Sequence, residues 1–335
     1  MRIIDTFLFS ETYEKEILLI KLNLGGEFIH EWLLIENSYT HQGEYKGLFA
    51  EEMLKSDERF KPFLDRIKII SGNLSFERID YSNKSSEKIG ISQEWQQRDL
   101  VKKYLLETYS SDDYFMISDT DECLDLTTSD SKLALLKKKI QENTIGVIKI
   151  PRKRFWYDFD NLWAAKRSVP LVKIEYLKRN PQKLLGEIRL ENMGPCKTWN
   201  LELLYEYSFC LTKEQLMRKY QTFCHVGVYV EDVELGLKCN CVPVKKAERS
   251  EISLDAKYWL KKVVLDENNS PWYVRENFEK LKTGIVDINF MINRKRVYPK
   301  LFSFQGRVIW KIQQLGFFLE RLKNRIFIIL KIKSI

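Results

Sequence analysis

The feature that most constrains the fold of this chain is the alternation of short apolar runs with amphipathic segments through its first half. Four apolar runs have the length of buried strands, at residues 3–9, 30–36, 67–70 and 114–118. Between them, residues 10–24 and 93–108 have the apolar spacing of helices, and Ser92 is the expected N-cap of the second. Strands that alternate with helices form mostly parallel sheets. We therefore predict an α/β domain with a mostly parallel central sheet.

The same kind of pattern continues less regularly in the second half. Helical spacing is found at residues 131–143, 211–220, 253–264 and 271–282. Two further strands are predicted near residues 146–150 and 171–176. The segment 283–304 has no clear periodicity, and residues 305–335 are helical in pattern. We predict a single domain over residues 1–290, followed by a basic amphipathic helical tail over residues 291–335.

Basic charge is concentrated in this tail. The chain of 335 residues has a formal net charge of +8, but residues 294–335 contain eleven Lys or Arg and one acidic residue. The first 293 residues therefore carry 44 basic and 46 acidic side chains. Nucleic-acid-binding domains spread positive charge over a folded face, so we expect no nucleic-acid partner.

Two uses of the tail are open. It can pack against the domain, or it can lie on an anionic membrane with Trp310, Phe317, Phe318 and Phe327 inserted among the lipids. The sequence contains no run of eighteen apolar residues, and its first residues lack the parts of a signal peptide. We expect a cytoplasmic protein that attaches peripherally to the inner face of the membrane.

An acidic segment, Asp119-Thr120-Asp121-Glu122, follows the apolar run at 114–118. Residues i and i+2 of an extended chain point the same way, so Asp119 and Asp121 are predicted to face one spot at the carboxyl edge of the sheet. Two carboxylates with open positions suit Mg²⁺ or Mn²⁺ that also binds phosphate. The alternative is an acidic turn in which Asp119 caps backbone amides.

Four motifs in order along the chain include this segment. The first is the opening 4–9 with Glu14 and 16–18, the second is Glu36 with Thr40, Gly43 and Lys46, the third is 94–99, and the fourth is 119–122. Together they resemble glycosyltransferase family 17, which includes the enzyme that adds the bisecting N-acetylglucosamine to N-glycans. The likeness covers about the first 240 residues and is weaker beyond 125, where 152–157, Ser208, Lys219 and 223–225 continue it.

The resemblance implies a GT-A fold and a metal-dependent, inverting transfer of a sugar from a UDP-sugar to a glycan hydroxyl. The expected sugar is N-acetylglucosamine, and the acceptor is an oligosaccharide or a lipid-linked glycan. Asp119 and Asp121 would hold Mn²⁺ or Mg²⁺. The residues expected to bind or support the donor are Asp5, Glu36, Thr40, Lys46, Arg98 and Asp119. The general base is expected among Glu122, Glu231 and Asp232, with Glu206 and His225 left open.

The sequence departs from the family at two places. Cys123-Leu124 stands where the family has Ile-Pro, and Glu206 stands where the family has a histidine. A catalytically degenerate protein that binds a nucleotide sugar, or serves as a scaffold at the membrane surface, is therefore the alternative. A scaffold has no use for a metal-diphosphate site, so the acidic residues that remain favour an active transferase.

Overall fold

The computed structural model describes residues 1–80, 86–127, 130–191, 203–224, 230–239, 260–267, 269–283 and 285. The chain divides into two compact units. The first comprises Met1–Val228 and Leu260–Ile285, and the second comprises Tyr229–Trp259 and Val286–Ile335. Within the second unit, the described residues form one helix.

A nine-stranded sheet forms the first unit. Its strands are β1 Ile3–Leu8, β2 Ile29–Asn37, β3 Ile67–Gly72, β4 Tyr114–Asp119, β5 Glu122–Leu124, β6 Val147–Trp156, β7 Asn161–Lys173, β8 Leu204–Phe209 and β9 Leu260–Lys262. The order is β3-β2-β1-β4-β7-β6-β8-β5, and β9 pairs with β7. Only β5 and β7 run against the direction of the other described strands. The protein is therefore an α/β protein with a mostly parallel sheet, as predicted.

Helices connect most of the strands. They are α1 Lys15–Gly25, α2 Ala50–Ser56, α3 Glu87–Asp99, α4 Lys102–Thr108, α5 Asp130–Glu142, α6 Ile174–Arg179, α7 Leu185–Leu190, α8 Lys213–Thr222, α9 Val230–Cys239 and α10 Trp272–Leu281. Two 3₁₀ segments, Thr12–Glu14 and Glu58–Arg66, precede α1 and follow α2. Helix α9 belongs to the second unit.

Each face of the sheet is covered by an apolar layer. On β1, Ile3 and Phe7 belong to one buried cluster while Ile4 and Leu8 belong to the other, as the alternation of side chains along a strand requires. Helices α1 and α5 contribute to the first cluster, and α4, α6 and α7 contribute to the second. Burial on both faces explains why these strands read as continuous apolar runs.

The four strands predicted in the first half are confirmed, but three other predictions were wrong in part. Helix α3 begins at Glu87, so Ser92 lies inside it and caps nothing. The predicted helix is also interrupted, since α3 ends at Asp99 and α4 begins at Lys102. Between them the amides of Leu100 and Val101 donate to carbonyls three residues earlier instead of four, and the Val101 side chain is buried in the core. Residues 174–176 start α6 because the chain turns away after β7, and residues 260–262 pair with β7 as a strand.

The remaining predictions about domain organisation concern residues that the structure does not describe. The boundary near 290 and the tail over 291–335 lie outside the described residues, as do residues 253–259. None of the helices in the described part of the chain has the length and apolar content needed to cross a membrane.

Candidate functional site

A cavity of about 430 Å³ opens where the strand order reverses. From β1 the chain continues to β2 and β3 on one side of the sheet, and β4 then lies on the other side of β1. The order of the strands therefore reverses between β1 and β4. Open α/β sheets bind ligands at such a point. The cavity is lined by Leu8 from the end of β1, by Asp119 from the end of β4, and by side chains of α3, β6, β7, β8 and α8.

The acidic segment forms a tight turn at this edge. Strand β4 ends at Asp119 and β5 begins at Glu122. The Thr120 amide and hydroxyl both donate to the carbonyl of Leu8, and the Tyr207 amide donates to the carbonyl of Asp121 over 2.9 Å. The chain is thus bent rather than extended, yet Asp119 and Asp121 both line the cavity.

Asp119 is held by two arginines. Arg98 of α3 donates to one carboxylate oxygen, and Arg189 of α7 donates to the other over 2.6 Å. Burial acts to raise the pKa of Asp119, but Arg189 and Arg98 outweigh it and hold that pKa well below its usual range. Asp119 is therefore ionised, and both of its oxygens already accept hydrogen bonds.

Glu122 is also fully engaged. Arg189 donates to both of its oxygens over 2.8 Å, Arg152 of β6 forms a further ion pair, and the Asp119 amide donates to it over 3.0 Å. The residue is 1% exposed. A carboxylate bound in this way is poorly placed to accept a proton from a substrate.

Asp121 meets a different cation. Lys219 of α8 donates to Asp121 Oδ2 over 2.8 Å, and its ammonium lies 3.6 Å from Glu14 Oε1. Burial acts to lower the pKa of Lys219, but Asp121 and Glu14 outweigh it and raise that pKa above its usual value. Burial, opposed by Lys219 and assisted by Asp121, raises the pKa of Glu14 to about 7. The three side chains form one buried group at the cavity wall, with a charged ammonium at its centre.

Glu206, which stands in place of the family's histidine, is a third anchored carboxylate. Its oxygens contact Arg152 at 2.7 Å and Arg154 at 2.8 Å, and the Ser208 hydroxyl donates to it over 2.6 Å. Burial acts to raise the pKa of Glu206, but Arg152 and Arg154 outweigh it and lower that pKa. Burial, partly offset by Glu206, lowers the pKa of Arg152 to about 10. This position therefore binds arginine instead of supplying an imidazole.

Aromatic side chains form another wall of the cavity. The ring of Trp156 stacks on Phe209 at 3.9 Å between centroids, and Trp163 meets Trp156 edge-on at 5.1 Å. The Arg154 guanidinium lies 4.3 Å from the centre of the Trp163 ring. Arg167, on the same strand as Trp163, lines the cavity, is exposed, and forms no ion pair with any carboxylate in the described residues. Aromatic faces beside arginine suit a sugar ring and a phosphate.

Asp5 lies beneath the acidic turn and does not line the cavity. It forms an ion pair with Lys21 of α1 at 2.9 Å and accepts from the Ser118 hydroxyl over 2.7 Å. Lys21 also donates to the carbonyls of Asp119 and Glu122. The predicted donor-binding residue Asp5 thus supports the backbone of the turn through Lys21.

Glu36, Thr40 and Lys46 form a separate group. Glu36 accepts from the amides of Phe49 and Ala50, over 2.7 and 3.1 Å, at the start of α2, and Lys46 lies 3.5 Å from it. The Thr40 hydroxyl accepts from backbone amides of its own loop. None of the three lines the cavity at the acidic turn. The structure brings the predicted residues Arg98, Asp119, Asp121 and Glu122 together. Glu36, Thr40 and Lys46 instead stabilise the loop that follows β2.

Two predicted base candidates lie in the second unit. Glu231 and Asp232 occupy the first turn of α9, where Glu231 is exposed and Asp232 is buried. His225 lies outside the described residues. The role of Glu231 and Asp232 stays a prediction.

The donor atoms of the cavity do not fit a metal ion shared by Asp119 and Asp121. Both oxygens of Asp119 accept from arginine, and Asp121 accepts from Lys219. A divalent ion held by both aspartates would have to compete with these cations for the carboxylates. Among the described residues there is also no group of three or more His, Cys, Asp or Glu side chains arranged to hold a metal. The metal site stays a prediction from the sequence, and no step is derived through it.

Comparison with known proteins adds no family. No family model matches the chain, and no curated protein is significantly similar to it. The resemblance to glycosyltransferase family 17 therefore depends on the four motifs, and a functional proposal depends on the site itself.

Sequence reasoning missed several residues in and beneath this cavity. Arg189 and His41, which line it, and Lys21, which supports the turn, belong to no motif, and Glu14 and Lys219 were noted only as parts of the resemblance. The His41 ring lines the cavity, and its Nε2 is hydrogen-bonded to the Gln97 side chain over 2.8 Å. A lysine at position 21 within the apolar stripe of α1 was a usable signal, because a buried lysine needs an anionic partner.

Proposed function

We propose that this protein is a glycosyltransferase with a GT-A fold that transfers a sugar from a UDP-sugar to a glycan hydroxyl with inversion. N-acetylglucosamine is the expected sugar, and the acceptor is an oligosaccharide or a lipid-linked glycan. The observation that carries the proposal is the acidic turn 119–122, which lies where the strand order reverses and lines a cavity that arginine and tryptophan side chains also line.

The chemistry of the cavity supports this reaction. A sugar diphosphate needs cations at the diphosphate, because negative charge grows on the leaving group as the glycosidic bond breaks. Arg152, Arg154, Arg167 and Lys219 supply four such cations at the wall. The sugar ring needs a flat apolar surface, and Trp156 and Trp163 are part of the cavity wall. Within the cavity the general base is best sought in Glu14, since arginine occupies Glu122, and Glu231 and Asp232 stay candidates from the sequence.

A catalytically degenerate protein that binds the nucleotide sugar without turnover is the second candidate. The replacement of the family's histidine by Glu206, anchored by Arg152 and Arg154, favours it. The two candidates share donor binding and differ in whether the bond to the sugar is broken.

Donor binding and turnover are separable in one experiment. Calorimetry with UDP, UDP-N-acetylglucosamine and UDP-glucose measures affinity, and proton NMR of the same mixtures follows release of UDP. Early release of the β-anomer from the α-linked donor supports inverting transfer to water, whereas binding without release supports the degenerate protein. Absence of binding to all three nucleotides contradicts both.

A pair of arginine variants tests whether the cavity is the binding site. Arg167→Ala removes an exposed cation at the cavity and is expected to weaken UDP binding by about tenfold. Arg59→Ala removes an exposed arginine that pairs with Glu16 and Asp57 instead, so its affinity for UDP should equal that of the wild type. Equal affinities of all three proteins would place the nucleotide elsewhere.

A further inference from the structure

We infer that the Lys219 ammonium occupies the place of a divalent cation in this cavity, so that the protein binds a nucleoside diphosphate without a metal ion. This inference rests on the proposed function for its ligand. Its structural basis is the contact of Lys219 with Asp121, the second aspartate of the acidic turn, at 2.8 Å.

The position of Lys219 is that of a bound cation. Its ammonium lies between Asp121 and Glu14, two carboxylates from different parts of the chain, and 5.5 Å from the centre of the Phe209 ring. Lys219 is 6% exposed, Asp121 is 5% exposed and Glu14 is 4% exposed. One positive charge thus sits where the sequence pattern led us to expect two positive charges on a metal.

A metal ion at this place would compete with the side-chain cation. Lys219 occupies Oδ2 of Asp121, and its ammonium repels a second cation at Oδ1, while displacing it would leave a buried lysine without this carboxylate, which is strongly disfavoured. Asp119 does not offer an alternative, because Arg98 and Arg189 occupy both of its oxygens. The carboxylates of the turn are therefore better described as anchors for side-chain cations than as metal ligands.

The anchored cations keep donors for a diphosphate. A guanidinium has five N–H groups and an ammonium has three, so Arg152 and Lys219, which each contact two carboxylates, still have further donors for phosphate oxygens. Arg152, Arg154 and Lys219 all line the cavity, and Arg167 adds a cation that no described carboxylate neutralises. Side-chain cations held in advance do what a metal ion would otherwise do, which is to neutralise the leaving diphosphate.

The first test uses the full-length wild-type protein. UDP is titrated by calorimetry in EDTA and in Mn²⁺, and Mn²⁺ alone is titrated by electron paramagnetic resonance. We expect equal UDP affinity in both buffers and no Mn²⁺ binding. UDP affinity more than about tenfold higher in Mn²⁺, or stoichiometric Mn²⁺ binding that Asp121→Ala abolishes, would overturn the inference while leaving the proposed function intact.

The second test exchanges the cation. Lys219→Ala should lower UDP affinity in EDTA by about 10- to 100-fold, because a charged hydrogen-bond partner is lost. It should also gain Mn²⁺ binding at Asp121 and Glu14, with Mn²⁺ restoring part of the UDP affinity. Failure of this variant to bind Mn²⁺ would contradict the inference. Lys213→Ala, an exposed position on the same helix, is the control and should behave as the wild type.

Two precautions keep the outcomes distinct. If Lys219→Ala does not fold, Lys219→Met keeps the volume of the side chain, and the wild-type titrations decide without any variant. If the wild type binds no uridine nucleotide in either buffer, the proposed function fails, and the titration with Mn²⁺ alone still decides the place of Lys219.

Discussion

At the scale of single residues, every carboxylate of the acidic turn is paired with at least one side-chain cation. Arg98 and Arg189 hold Asp119, Lys219 holds Asp121, and Arg152 with Arg189 holds Glu122. Removing one member of a buried pair leaves an uncompensated charge, which costs far more than losing an exposed pair. The buried Arg98 and the exposed Arg59 each contact two carboxylates, so replacing each of them by alanine compares a buried pair with an exposed one.

Arg98→Ala is expected to lower the free energy of unfolding by about 3–5 kcal/mol, because Arg98 is 2% exposed and leaves Asp119 and Glu94 without it. Arg59→Ala is the control, since Arg59 also pairs with two carboxylates but is 49% exposed. Its expected loss is below about 1 kcal/mol. Urea denaturation measures both, and equal losses would contradict the burial argument.

Glu14 gives the cavity a dependence on pH. Its pKa, raised from 4.5 to about 7, lies above the value in the unfolded chain. The protonated form is favoured on folding, so the associated stability is present below pH 4.5 and is lost as the pH rises towards 7. The free energy of unfolding of the wild type relative to Glu14→Gln should therefore fall between pH 4.5 and 7.5 by roughly 1–3 kcal/mol. Urea denaturation of both proteins at these two pH values measures it, and a constant difference would contradict the prediction.

At the scale of elements, the positions of α3 and α7 decide whether two arginines reach one aspartate. Arg98 lies on α3 and Arg189 on α7, and the two helices pack directly together. The contact is close at Gly186, where an added Cβ would lie 2.2 Å from the ring of Trp95. A glycine at this place lets α7 approach α3 far enough for both arginines to contact Asp119.

Gly186→Ala should therefore push the two helices apart. We expect a loss of about 1–3 kcal/mol in the free energy of unfolding from overpacking, together with weaker UDP binding. Adding Trp95→Leu makes room for the new methyl group, so the double variant should lose less stability than the sum of the single variants. Denaturation of all four proteins measures the coupling, and strictly additive losses would show that the methyl group does not meet Trp95.

At the scale of the whole molecule, charge separates the tail from the rest of the sequence. The first 293 residues are nearly neutral, whereas residues 294–335 hold eleven basic residues and one acidic residue. Each basic residue near an anionic membrane contributes about 1 kcal/mol of attraction. The sequence of the tail therefore predicts an association with membranes that depends on lipid charge.

Replacement of Arg321, Lys323 and Arg325 by Gln in the full chain tests this. Flotation with vesicles containing phosphatidylserine should recover less of the variant than of the wild type, because about 3 kcal/mol of attraction is removed. Vesicles of phosphatidylcholine alone are the control and should recover little of either protein. Equal recovery of the two proteins on charged vesicles would mean that the tail does not bind them.

The sequence by itself determined the central strands and the edge of the sheet at which the candidate site lies. Continuous apolar runs can be buried only with both faces covered, which predicted β1 to β4 and a mostly parallel sheet. Parallel strands end at a common edge, so the sequence predicts that Asp119 and Asp121 lie at that edge. The break between α3 and α4 could not be predicted in this way, because the packing of Val101 outweighs the helical spacing around it.

Only the tertiary structure decided what the carboxylates meet. Arg189 is 70 residues from Asp119, and Lys219 is 98 residues from Asp121, so no local pattern joins them. Their contacts arise because the fold brings α7 and α8 within reach of the turn that follows β4. An aspartate pair in the sequence is equally suited to a metal ion or to side-chain cations, and the difference depends on which charges the fold brings within reach.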